Sequence, residues 1–145
     1  MKQNESSVQQ KTQSEKDSNW DRIDWRALDQ IRQLDQDVSA GILETVLQIY
    51  LDESSALFNK IQNAIREGES ESLRGAAHSL KSSSAQLGAK KPSEFCKEME
   101  AFGRRESIDG VEEIYPQAEL EYEEVRRELS VELERSKEQL NGDFR

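Results

Sequence analysis

Apolar residues along the chain recur at the three- and four-residue steps of amphipathic helices, not in the alternation of half-buried strands. Trp20, Ile23, Trp25, Leu28, Ile31 and Leu34 come at short intervals, and Leu28, Ile31 and Leu34 share one face, which predicts a short first helix near residues 24–34. Ser39 suits the N-cap of a second helix running to about Glu67. Its stripe is Leu43, Val46, Leu47, Tyr50, Leu57, Phe58, Ile61, Ala64 and Ile65, with Gly68 as the stop. A third helix is predicted from about Glu69 to Leu87, closed by Gly88. Pro92 fits the first turn of a fourth, which places Phe95, Met99 and Phe102 on one face with Gly103 near its end. Asp109 and Glu112 form a D-x-x-E start for a fifth stripe: Val111, Ile114, Tyr115, Ala118, Tyr122, Val125 and Leu129. Pro116 is expected to kink that helix or mark its true first turn, and Asn141-Gly142 to end it.

Short loops make successive helices antiparallel neighbours, so the expected fold is all-α: an antiparallel four-helix bundle with an additional short N-terminal helix as a lid. With 145 residues there is room for one domain, placed at 20–140 between tails at 1–19 and 141–145. Only 34% of residues are hydrophobic and 34% are charged, so the core is thin and built from amphipathic elements. Two prolines and seven glycines leave little for a many-stranded sheet. In 1–19, Val8 is the only apolar residue after Met1, which predicts disorder. No apolar run approaches the roughly 20 residues of a membrane span, and the N-terminus has no signal-peptide core, so no membrane role is expected. A single cysteine, Cys96, cannot form an internal disulfide; it reads as packing, and the expected location is cytoplasmic. A single histidine rules out a multi-His metal site.

Charge changes the picture. A net −10 argues against a nucleic-acid binder. Yet no acidic residue falls between Glu71 and Glu94, a stretch that carries Arg74, Lys81, Lys90 and Lys91. That local surplus suits docking of a more acidic partner.

The third helix holds the one histidine. At about 100° per residue, Leu73, Ala76, Ala77, Leu80, Ser84 and Leu87 form its core face, and His78 lies about 150° away from it. One turn from His78 are Arg74 and Gly75 before, and Lys81 and Ser82 after; Ala85 lies two turns on. Gly75, Ser82 and Ala85 are small and leave the imidazole approachable. An uncharged imidazole has a ring nitrogen free to act as nucleophile, and Lys81 can offset the charge of an acquired phosphoryl group as a mobile point charge. On its own, H-x-x-K on a helix describes an ordinary solvated face.

The run Ala77-His-Ser-Leu-Lys-Ser-Ser-Ser-Ala-Gln-Leu-Gly-Ala89 resembles the phosphorylation motif of bacterial histidine phosphotransfer (HPt) domains. The Phe95–Cys96–Met99–Glu100 pattern and the Leu43–Leu47–Tyr50–Leu51 helix are similar to the same family, and the likeness covers roughly residues 25–135. The resemblance implies a bundle that accepts a phosphoryl group on His78 from a receiver-domain aspartate and passes it to another receiver, with Lys81 helping to hold it. It implies response-regulator receiver domains and a hybrid sensor histidine kinase as partners, a monomer, and a carrier rather than an enzyme. One departure is Ser82, where the family often has Gly; serine is small enough to leave docking open. Mg²⁺ is expected only on the partner receiver, with no metal or other cofactor on this chain, and no Gly-rich nucleotide loop is present. The docking surface is expected at Arg74, Gly75, Ser82 and Ala85. The alternative is a helical adaptor or phosphate sink that binds signalling proteins without needing phosphorylation.

Overall fold

The computed structural model describes residues 22–37 and 41–143, with side chains described for 22–34 and 41–139. The expected tail at 1–19, Trp20, the Ser39 cap and residues 144–145 lie outside them. Five helices follow along the described chain: α1 (Trp25–Asp37), α2 (Ile42–Glu67), α3 (Ser70–Gln86), α4 (Lys90–Arg104) and α5 (Val111–Asp143). Each of α2 to α5 packs on its neighbours in the chain, and α5 returns onto α2, so these four close a bundle with α1 laid against α2.

The stripes meet in one core. Leu43, Leu47 and Ile61 of α2, Leu73, Ala77 and Leu80 of α3, Met99 of α4, and Val111, Val125 and Leu129 of α5 are all buried. Each fully buried aliphatic side chain removes roughly 1.5–3 kcal/mol worth of apolar surface from water. The bundle is held by this shared face more than by helix propensity.

Three boundaries differ from expectation. α1 runs to Asp37, and α2 starts at Ile42 behind a left-handed Gly41 (φ 110), whose carbonyl accepts from the Thr45 N–H at 3.0 Å. α5 passes unbroken through Pro116, its sixth residue, and through Asn141-Gly142. Pro116 removes one hydrogen bond near the exposed start of a long helix, and a glycine in a helix costs only about 1 kcal/mol, so cooperativity carries the helix through both.

The turn between α3 and α4 is tightly specified. Gly88 is left-handed (φ 80), and the Gly88 and Ala89 N–H groups close the helix end by donating to the Ala85 and Ser84 carbonyls. A Cβ at Gly88 would collide with the Asp24 carbonyl, and the Asp24 N–H donates to the Gly88 carbonyl. The segment leading into α1 is thus strapped onto this turn. Arg22 fixes the strap to α5 through Glu121 (3.0 Å) and Glu128 (3.1 Å).

Candidate functional site

His78 stands on the side of α3 that faces α4, with 57% of its side chain exposed. The bundle geometry brings a carboxylate to it. Glu100 sits on α4 beside Met99 and one turn after Cys96, on the buried face, and its side chain is only 2% exposed. Its Oε2 lies 2.9 Å from His78 Nδ1 and 2.8 Å from Arg104 Nη2, and its Oε1 lies 2.7 Å from Lys81 Nζ. The carboxylate is roofed by the groups it binds, at the rim of the bundle rather than deep in the core.

Close helix packing makes this possible. A Cβ built on Gly103 would stand 2.7 Å from both the Ser70 carbonyl oxygen and Arg74 Cβ, so only glycine lets α4 approach α3 this closely. At the other end of the seam, Ser93 Oγ donates to the Lys81 carbonyl at 3.1 Å.

Burial pushes the Glu100 carboxyl up, but the hydrogen bonds from Lys81 and His78, with the nearby charges of Lys81 and Arg104, outweigh it and hold the group below its ordinary value. An ionised carboxylate only accepts hydrogen bonds, so Nδ1 of His78 is the donor and carries the ring proton. In the neutral ring, Nε2 then keeps its lone pair. The arrangement presents a nucleophilic nitrogen on a ring whose orientation and tautomer are fixed from behind.

The placement of His78 on the exposed face, and of its core-facing neighbours inside, agrees with the wheel. Gly75, Ser82 and Ala85 are exposed around it, and a Cβ at Gly75 would meet nothing within 4 Å. Two expectations change. Lys81 is not a mobile charge: it is pinned to Glu100 with 27% of its side chain exposed. Arg74 is held by Glu71, three residues back on its own helix, so it is not a free cation beside the ring. The stretch that is free of acids in sequence therefore has carboxylates at both flanks in space. Cys96, read from the sequence as packing, is buried; burial first, and then the charge of Glu100, push its thiol up to about 12.

In the sequence Glu100 stands out only through the family pattern, and Arg104 does not stand out at all. The signal was present: a charged residue four positions after Cys96 and next to Met99, on the apolar face of a helix. Among the described residues no cluster of three or more His, Cys, Asp or Glu gathers as a metal site, and no helix is long and apolar enough to cross a membrane.

The family model of the Hpt domain matches residues 45–128. The phosphorelay intermediate protein YPD1 of Candida albicans is 26% identical over 87 residues, which are 60% of this chain and 47% of that protein, so the chain spans about half the length of this relative. The crystal structure of histidine-containing phosphotransfer protein B from Pseudomonas aeruginosa superposes with a TM-score of 0.69 at 26% identity, covering 79% of this chain and 96% of the other. Saccharomyces cerevisiae Ypd1, crystallised with the receiver domain of its downstream response regulator Ssk1, gives 0.65 at 22% identity over 75% of this chain and 92% of that one, a likeness of fold.

Proposed function

The chain belongs to the Hpt domain family, and from that premise we propose that it is the phosphoryl carrier of a two-component phosphorelay, accepting the group on His78 from a receiver-domain aspartate and passing it to another receiver. The observation that carries the reading is the half-exposed imidazole of His78, anchored through Nδ1 by a buried carboxylate. In-line transfer needs a positioned nucleophile and compensation of charge, and this seam supplies both. Nε2 attacks the phosphorus of the acyl phosphate, and the receiver's aspartate leaves as carboxylate. Lys81 lies within the same cluster to hold the phosphoryl oxygens. The receiver brings the Mg²⁺. It docks over Gly75, Ser82 and Ala85, with Arg74 at the border, where small side chains leave the ring open to a protein surface.

The test is transfer of labelled phosphate from candidate phosphorylated receivers. Label is expected on His78 alone, as an acid-labile, alkali-stable adduct, and a His78→Gln variant should take up none. Label on a serine of the Ser82–Ser84 run would overturn the assignment. Lys81→Ala should keep the fold but slow transfer or shorten the life of the adduct.

A further inference from the structure

We propose that Glu100 makes the phosphorylated ring a good leaving group by keeping its Nδ1 proton in place, so that Glu100 sets how readily the carrier discharges. The inference rests on the phosphocarrier reading and adds a role that the carrier step alone does not require.

When Nε2 of a ring that already carries a proton on Nδ1 bonds to phosphorus, the ring becomes an N-phosphorylated imidazolium with one positive charge. The Nδ1–H bond that spreads this charge points at Glu100 Oε2, 2.9 Å away. On discharge the acceptor oxygen bonds to phosphorus, the Nε2–P bond breaks, and its electron pair returns to Nε2. The product is the starting neutral imidazole, still protonated at Nδ1. No proton crosses to solvent in either direction. Were the Nδ1 proton lost from the adduct, the leaving group would be an imidazolate, a far stronger base and a poorer leaving group. A carboxylate in hydrogen-bond contact favours the charged ring over the neutral one. Glu100 is thus a positioning residue acting through His78.

The surrounding charges define the sign. Lys81 on α3 and Arg104 on α4 both bind Glu100, and Arg74 lies near on α3 with Glu71 as its own partner. Cys96, on the same helix as Glu100, is buried and its thiol is held neutral. Lys60 of α2 and Glu69 line the groove with Gly75 and Ser79, on the other flank of α3. Of the groups facing the ring from α4, Glu100 is the one anion, and without its charge two cations would be left to repel the ring proton.

The experiment needs no partner. His78 is the only histidine in the chain, so its ring nitrogens give a single unambiguous set of ¹⁵N signals. The unphosphorylated protein should show the Nδ1–H tautomer, and Nε2–H would overturn the inference at once. The protein is then loaded with phosphoramidate, and spontaneous loss of phosphate is followed against pH. At about pH 8 the Glu100→Gln variant, which keeps a hydrogen-bond acceptor but no charge, should lose phosphate roughly tenfold more slowly than the parent. The gap should close as pH falls, because protons from solvent restore the charged ring in either protein. Equal rates at pH 8, or a ratio constant with pH, would overturn the role. Helicity and the ring spectrum check that the variant is folded. As a measurement free of substitution, the parent should discharge faster at pH 8 than the same adduct in the urea-unfolded chain; an equal rate counts against the inference. If the parent forms no phosphohistidine from either phosphoramidate or a receiver, the carrier reading itself fails, a result distinct from all of these.

Discussion

The bundle has two kinds of seam. Between α2 and α5 the space is filled by large rings: Phe58 stacks on Tyr122 with centroids 4.7 Å apart and leans on Tyr115 at 5.5 Å. The polar groups of this seam are neutral hydroxyls: Tyr122 Oη lies 2.7 Å from Ser54 Oγ, while the buried Tyr115 hydroxyl has no hydrogen-bond partner among the described residues. Between α3 and α4 there is a glycine contact in place of rings, and the polar groups are ions gathered on Glu100. Rings hold two helices together at a distance that tolerates small adjustments. A glycine contact fixes a closer distance, and a carboxylate reaching across it then finds its histidine. The first seam is closed by neutral rings and hydroxyls, the second by a glycine contact and a cluster of ions.

The contrast can be broken from either side. The largest effect on stability should come from Phe58→Ala, which empties a stacked and buried site and should cost about 3–5 kcal/mol in denaturant unfolding. The ring signals of His78 should nevertheless stay as in the parent while the protein is folded. Gly103→Ala should cost less, about 1–3 kcal/mol, because its Cβ meets backbone atoms that cannot step aside. Here the His78 tautomer and phosphoryl transfer should suffer as well, since the two helices must part. A Phe58→Ala variant that loses the tautomer, or a Gly103→Ala variant that keeps full transfer, would erase the distinction.

The acid limb of the stability curve gives a narrower test. The folded Glu100 carboxyl lies below its ordinary value of 4.5, so its contribution is present above that pH and fades as pH falls through the folded value. Glu100→Gln should therefore flatten the loss of stability below about pH 4.5 and leave no other change in slope near it. The smallest change in stability, within about 0.5 kcal/mol, is expected for Ser82→Tyr, because Ser82 is exposed. Transfer and receiver binding should nonetheless collapse in it, whereas Ser82→Gly should retain both. Parental transfer in Ser82→Tyr would show that partners do not approach over this face.

Much of this was legible from periodicity. The stripes of α2 and α5, the core face of α3 and the outward position of His78 follow from residue spacing alone, because amphipathic helices declare their buried side. The pairing of His78 with Glu100 did not follow. It joins residues 22 apart on different helices, and helical spacing says which face a residue occupies, not what lies opposite. Gly103 was hidden for a similar reason: near the end of a helix a glycine reads as a terminator, and only the neighbouring helix reveals it as a contact. Arg74 shows the same limit from the other side: the acid-free stretch begins just after Glu71, and the helix brings that glutamate against it.

The turn between α3 and α4 has a consequence for how such a protein can vary over time. Its length sets where α4 begins against α3, and one residue inserted inside α4 before Glu100 would rotate that side chain by about 100° and carry it off the ring. Gly88 has no freedom to absorb an insertion in the turn, caught as it is between its own left-handed backbone and the Asp24 carbonyl. The opposite turn, through Glu106 to Gly110, leads from α4 into α5, a helix that holds neither partner of the His78–Glu100 pair. Lineages descended from a common ancestor with this site should therefore accumulate insertions and deletions between α4 and α5 while holding the α3–α4 turn at constant length.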